Sequence, residues 1–384
     1  MDFKNKLTRN VLYCYLPIVV LFALVRALSA FGLLNFLGEA GEYVLTIVIQ
    51  IGFLFSTAIF GFSLIQKTKV KQVFKFYGFR KINWRAIIIA VVIGIVVYFL
   101  NIFISTFFNA FISLFGYKFS NGGTGSSEYP IWLLFVNILM TAILPAICEE
   151  TSHRGMLLKG LSPMGQKWAI IISSLLFGLL HLNIEQVFYA TLIGFLVGYI
   201  SSICENIYPA IIIHFMNNFL SVFMGYSRAT GLGPELMFTY LNQWISTNFI
   251  TAVLFMIVMT VLLLFLLKFL VKLLFRYTTV RRVNQIQTAI FKELTKEAYL
   301  KDVQDVQDGK MPEENGVPQT ISFEKFDEIY RKYNQQTGYT SEIDEKVMQD
   351  ERQFKLNKIT KVMLITTFAI VASITLFTFV WGLL

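Results

Sequence analysis

Nine apolar runs recur along this chain, each long enough, or nearly so, to cross a bilayer. Spanning the hydrocarbon core takes about 20 apolar residues in a helix. Inside lipid, every backbone polar group must also be satisfied within the segment, which leaves helices or a closed barrel. The runs lie near 11–34, 43–66, 86–112, 131–158, 166–183, 185–203, 206–226, 248–275 and 361–383. The chain is 55% hydrophobic and holds 38 phenylalanines, more apolar surface than a soluble domain can bury. The fold class expected is therefore an all-α polytopic membrane protein.

Charge gives the expected orientation. Lys4, Lys6 and Arg9 precede the first run, and the loop "QKTKVKQVFKFYGFRKINWR" follows the second. Lys159 and Lys167 follow the fourth, and "KFLVKLLFRYTTVRR" ends the eighth. The intervening loops "GEAGEY" and "SNGGTGSSEYP" carry no Lys or Arg. Every basic loop thus falls on one side, as the positive-inside rule requires. The N-terminus is expected in the cytoplasm and the C-terminus outside. The same rule accounts for the net charge of +9, so no nucleic-acid partner is expected. The first run follows no small-residue cleavage site and reads as a retained helix. Cys14, Cys148 and Cys204 sit in or beside apolar runs without metal or disulfide spacing, and read as packing residues.

Residues 276–360 break the apolar pattern. "NQIQTAIFKELTKEAYL" and "ISFEKFDEIYRKYN" have helical periodicity, and "DGKMPEENGVP" reads as a connector. The expected division is a membrane core over 1–275, a cytoplasmic charged helical insert over 276–360, and a C-terminal transmembrane helix over 361–384. A solvated linker with partial helicity is the competing reading of the insert. The insert is also where a protein partner would bind.

The chain has three histidines, His153, His181 and His214, and each falls in or at the end of an apolar run. Ionisable groups in a membrane are costly and usually face a cavity or one another. Around the first, "AICEETSHRG" holds Glu149, Glu150, His153 and Arg154. Residues four apart share a helix face, so Glu150 can pair with Arg154, leaving Glu149 freer to take a proton. Glu149 also lies four residues before His153. Pro145 is expected to kink the helix beside the glutamates. Taken alone, the cluster is equally a plain ion-pair network at a helix end. The second element is "FGLLH", ending at His181, and the third is "HFMNN", in which His214 and Asn218 share a face. The fourth and fifth runs are expected to pack antiparallel, with His181 needing a kink or tilt to reach Glu149 and His214. A carboxylate and an imidazole can activate water, and a second imidazole with an amide can stabilise an oxyanion. Glu149, His181 and His214 could equally bind a catalytic Zn2+. Sequence does not separate these versions.

The order EExxxR, FxxxH, HxxxN on separate membrane helices resembles the CPBP or Abi family of CAAX-processing and bacteriocin-processing intramembrane endopeptidases. Here the motifs are Glu149-Glu150 with Arg154, Phe177 with His181, and His214 with Asn218, covering roughly 85–226. The resemblance implies an eight-helix core in a membrane, here that of a bacterial cell. It also implies an endopeptidase acting on a membrane-associated peptide, prenylated or otherwise hydrophobic, by glutamate or metal chemistry. It makes Glu149 and His181 the pair that activates water, with His214 and Asn218 at the oxyanion or metal side. Glu150 with Arg154 becomes the supporting ion pair. His153 departs from the family pattern, which has an apolar or aromatic residue there. It is expected to touch Glu149 or act as a further ligand. Two other readings use the same residues. One is a non-catalytic regulator or scaffold of the same fold, acting through the insert in envelope stress or bacteriocin immunity. The other, a transporter or proton relay, lacks the inverted repeat and paired broken helices that fold needs.

Overall fold

The computed structural model describes residues 2–118, 129–231, 234, 240, 243–244, 247–280, 341–350 and 353–383. Most of the insert, including both of its periodic stretches, lies outside the described residues. Among those described there is no strand, and eight helices are long and apolar enough to cross a membrane. The protein is an all-α polytopic integral membrane protein.

The helices follow the apolar runs. They are α1 (Phe3–Ala30), α2 (Asn35–Gln66), a short amphipathic α3 (Val70–Tyr77), α4 (Trp84–Ser113) and α5 (Ile131–Met164). There follow α6 (Gln166–Leu179), α7 (Ile184–Cys204), α8 (Tyr208–Thr230) and α9 (Phe249–Phe275). After the insert come α10 (Glu342–Gln349) and α11 (Lys358–Leu383).

Two differences from the sequence reading bear on the site. First, α1 starts at Phe3 rather than near residue 11. Two carboxylates satisfy the exposed N–H groups of its first turn. Asp2 accepts from Asn5 N at 2.6 Å, and Asp350 accepts from Phe3 N at 2.8 Å. Asn5 Oδ1 takes Asn357 N, and Thr8 Oγ1 donates to Gly160 O, so the polar first turns are buried against the chain beyond the insert and against α5. Second, α6 has 14 residues and stops at Leu179. At 1.5 Å per residue it is about 21 Å long, short of the hydrocarbon core of about 30 Å. Leu182 takes a left-handed conformation at φ 51°, and Asn183 then caps α7 by accepting from Glu185 N. His181 therefore lies in a turn beyond the helix end, not on a continuous span.

One buried apolar cluster joins α1, α2, α3, α5 and α6 with Ile343 of α10 and Val371 of α11. A second joins α4, α7, α8 and α9. Helix α5 packs on α2 and α6 from the first group and on α8 from the second. The glutamate pair thus sits where the two halves meet.

Helix α5 is not uniformly wound. It opens into wide π-type turns at Ile138–Ile143 and Thr151–Leu158, on either side of the α-helical piece Leu144–Glu150 that contains Pro145. Proline lacks the N–H that a regular ladder would use there, and widened turns are a common feature of functional sites. A similar turn, Val48–Phe55, interrupts α2.

Close approach of α3 to α5 depends on Gly155. A Cβ at this position would lie 2.7 Å from Cδ2 of the Tyr77 ring, whose hydroxyl donates to Ala58 O of α2 at 2.6 Å. On its other side α3 holds α10. Gln72 Nε2 donates to Glu342 Oε1 and Gln72 Oε1 accepts Glu342 N, both at 3.2 Å, while Ser341 and Asp344 cap α10 reciprocally.

Candidate active site

The three sequence elements converge. Glu150 is fully buried on α5 and has two partners. Arg154 Nε lies 3.1 Å from its Oε2, and His214 Nδ1 lies 2.8 Å from its Oε1. The expected Glu150–Arg154 pair is formed, and α8 is tied to α5 by its histidine. Arg154 is itself 1% exposed, so the pair is desolvated, and buried charges persist only when paired in this way.

Phe177 of α6 is the hub. The Arg154 guanidinium carbon lies 4.2 Å from its ring centroid, a cation–π contact. His153, His181 and His214 meet the same ring edge-on, with centroids 5.0, 5.3 and 5.8 Å away. Phe177 and Arg154 can come so close to α7 because residue 194 is glycine. A Cβ there would stand 3.3 Å from Phe177 Cδ1, and Arg154 Nη2 approaches the Gly194 carbonyl at 3.4 Å.

Hydrogen bonding fixes the ring protons. A carbonyl or carboxylate only accepts, so the ring nitrogen facing it carries the hydrogen. His181 Nδ1 faces Phe177 O at 3.0 Å, and His214 Nδ1 faces Glu150. Both therefore donate from Nδ1 and keep Nε2 for other chemistry. His153 Nδ1 donates to the backbone carbonyl of Glu149 at 2.9 Å, and its Nε2 accepts from the buried Tyr15 hydroxyl of α1 at 3.0 Å. Contrary to expectation, His153 touches neither carboxylate. It is fully buried with both nitrogens occupied, and it serves as a strut between α1 and α5.

Glu149 is half-buried, and Gln50 Nε2 of α2 donates to its Oε1 at 3.0 Å. On α8, Asn217 is buried and donates to Asn218 Oδ1 at 3.1 Å. Asn218 is only partly buried and donates to Thr141 O, in the first wide turn of α5, at 3.1 Å. The two amides act as a pair, Asn217 orienting Asn218.

Sequence reasoning missed Gln50 and Tyr15, and it favoured Asn218 over Asn217 as the inward amide. Gln50 and Tyr15 carried a signal, since each is a polar side chain inside an apolar run.

A carboxylate and two imidazole Nε2 lone pairs are metal-ligand chemistry. Nevertheless, among the described residues no three His, Cys, Asp or Glu side chains converge as a set able to hold a metal ion. Glu149, His181 and His214 are not drawn together as ligands.

Among known proteins, residues 130–220 match the family model described as Rce1-like, type II CAAX prenyl endopeptidase. No curated protein and no solved structure matches the chain. The matched stretch contains both glutamates, Arg154, Phe177, all three histidines and Asn218, with the helices α5 to α8 that position them. By that match, residues 130–220 are similar to the Rce1-like type II CAAX prenyl endopeptidase family.

Proposed function

We propose that this chain is a membrane endopeptidase that hydrolyses a peptide bond in a membrane-associated substrate, prenylated or otherwise hydrophobic, using water activated by Glu149. The observation that carries the reading is the unequal treatment of two adjacent carboxylates. Glu150 is bound by a guanidinium and an imidazole, whereas Glu149 has, among the described residues, a single neutral amide donor and partial exposure. The first is a fixed anion and the second is available to a proton, a division typical of acid–base sites.

In this mechanism Glu149, with His181 Nε2 as its partner, takes a proton from water while the water oxygen bonds to the scissile carbonyl carbon. The carbonyl π electrons move onto its oxygen. Asn218 Nδ2 has one N–H on Thr141 O and a second for that oxyanion. His214, held through its Nδ1–H on Glu150, stands at the oxyanion side. Collapse breaks the C–N bond, and the proton held by Glu149 passes to the leaving nitrogen. Products are a carboxylic acid and an amine. No step of this mechanism runs through Zn2+, and cleavage is expected to survive prolonged treatment with strong chelators.

The test is cleavage of prenylated and plain hydrophobic peptides by purified protein in proteoliposomes. Glu149→Ala and His181→Ala should each lower kcat by about 10²–10⁴-fold, the usual worth of a positioned acid–base group. Wild-type rates from both variants would remove the mechanism.

One observation favours a second reading, a regulator acting through the insert. Helix α10, at the end of the insert, docks on α3, and α3 packs against Gly155 beside Arg154. Loss of cellular function on deleting α10, with function retained in Glu149→Ala, would select that reading instead.

A further inference from the structure

Gln50 is the one strongly polar side chain between Ile47 and Phe55, a stretch of α2 that is otherwise apolar apart from Gly52. An amide buried in such a segment costs several kcal/mol unless its hydrogen bonds are met. Its side chain is 7% exposed, and its one partner among the described residues is Glu149 Oε1 at 3.0 Å. An ionised carboxylate only accepts, so the amide presents N–H to it. The other end of the same amide, Oε1, is buried and has no hydrogen-bond partner among the described residues. Gln50 lies within the wide turn Val48–Phe55, and Glu149 lies at the end of the α-helical piece before the wide turn Thr151–Leu158.

We infer that Gln50 is a positioning residue for the proposed reaction, holding Glu149 through Nε2 and offering Oε1 to the water that Glu149 deprotonates. This rests on the endopeptidase reading. An amide suits the task because it orients a base without neutralising it, whereas the guanidinium on Glu150 makes that carboxylate a permanent counter-ion. Both amide atoms sit on one carbon, so a water bound at Oε1 can also reach the Glu149 carboxylate. The water's second O–H, the one not given to Glu149, satisfies the lone pair that the protein leaves open. Helix α2 lies outside the matched stretch 130–220, so the site is complete only with a residue from beyond it.

Three variants in proteoliposomes test this. Gln50→Leu removes both amide functions and should lower kcat by about 10–100-fold with KM within twofold, as expected when a reacting group is misplaced by about 1 Å. Gln50→Glu keeps the shape but offers no donor to a carboxylate, and should lose as much. The exchange Gln50→Glu with Glu149→Gln restores an amide–carboxylate hydrogen bond in reverse. It should regain the wild-type unfolding midpoint but not the activity.

A readout independent of proteolysis is the infrared antisymmetric carboxylate band of Glu149, isolated by subtracting the Glu149→Gln spectrum. It should shift when Gln50→Leu removes the N–H donor. Wild-type kcat in Gln50→Leu, or an unmoved band, overturns the inference. So does activity in the exchanged pair, because Gln50 would then be tuning stability alone. If the band shifts but Glu149→Ala cleaves normally, the hydrogen bond is real and the endopeptidase reading is what fails.

Discussion

Replacing Arg154 by Met should destabilise this protein far more than a surface charge change would. The structure also says how the loss should be recovered. Arg154 and Glu150 are both about 1% exposed, with Nε and Oε2 3.1 Å apart. Arg154→Met keeps an unbranched side chain of similar length but leaves a buried carboxylate with only the His214 N–H at 2.8 Å. Stranding one member of a buried ion pair costs about 3–5 kcal/mol. The lost cation–π contact with Phe177 adds about 1–2 kcal/mol. The surviving His214 bond offsets part of this, so about 4 kcal/mol is expected net, which corresponds to a midpoint lower by on the order of 10 °C. The assay is built into the chain. Cys14, Cys148 and Cys204 are all free and buried, so a thiol-reactive dye reports unfolding in detergent. Adding Glu150→Gln to Arg154→Met removes the stranded charge while keeping an oxygen for His214, and should recover more than half of the loss. Buried pairs exchanged for neutral groups are often near neutral overall. If the single variant melts within about 1 °C of wild type, or the double variant shows the plain sum of two losses, Glu150 and Arg154 are not a desolvated pair. The picture of Glu150 as a fixed anion beside a freer Glu149 would then be refuted.

Other perturbations test the supports around the site. Tyr15→Phe removes the donor to His153 Nε2 and strands a buried acceptor, a loss of about 1–3 kcal/mol. Combining it with His153→Leu should cost less than Tyr15→Phe alone, measured by the same dye assay. Gly155→Val places branched carbons where the Tyr77 ring stands and should part α3 from α5. Limited proteolysis near residues 67–83 should then speed up markedly, and Gly155→Val with Tyr77→Ala should reverse much of that effect. At the opposite end, burial, reinforced by the Glu185 carboxylate that its hydroxyl bonds at 3.2 Å, pushes Tyr117 up to about 12. The folded state holds this proton more tightly than the unfolded chain, with its ordinary value near 10. The stabilisation is therefore complete below about pH 10 and is lost as pH rises toward 12. Tyr117→Phe should flatten that alkaline decline in midpoint, and an unchanged slope would show that Tyr117 titrates normally.

The difference between what could and could not be read from the letters has a physical basis. Helix existence followed from apolar run length because backbone satisfaction in lipid is a local demand, and all nine runs became helices. The pair Glu150–Arg154 was legible for the same reason, since four residues on a helix fix a shared face. The start of α1 was not legible. Asn5, Thr8 and Asn10 look like a solvated leader, and they are buried only because the chain beyond the insert and the end of α5 come back to meet them. His181 was placed on a helix because "SSLLFGLLH" reads as a continuous apolar run. The turn that holds it needs Leu182 in a left-handed conformation, which no side chain there announces. His153 was expected to touch Glu149 through its side chain, and the same four-residue spacing delivered the backbone carbonyl instead.

Gln50 and Tyr15 were missed, although each stands in the sequence as half of a pair. Their other halves lie 99 and 138 residues away, a separation that helix periodicity cannot bridge. In a membrane a buried polar side chain must find a partner, so a solitary one in an apolar run states that a contact exists without saying to what. The three motif-bearing helices could therefore be recognised from residues 130–220, whereas the group that holds Glu149 could not. It enters from α2, where the mark is one glutamine among the nine residues Ile47–Phe55, and the packing of α2 on α5 turns that mark into chemistry.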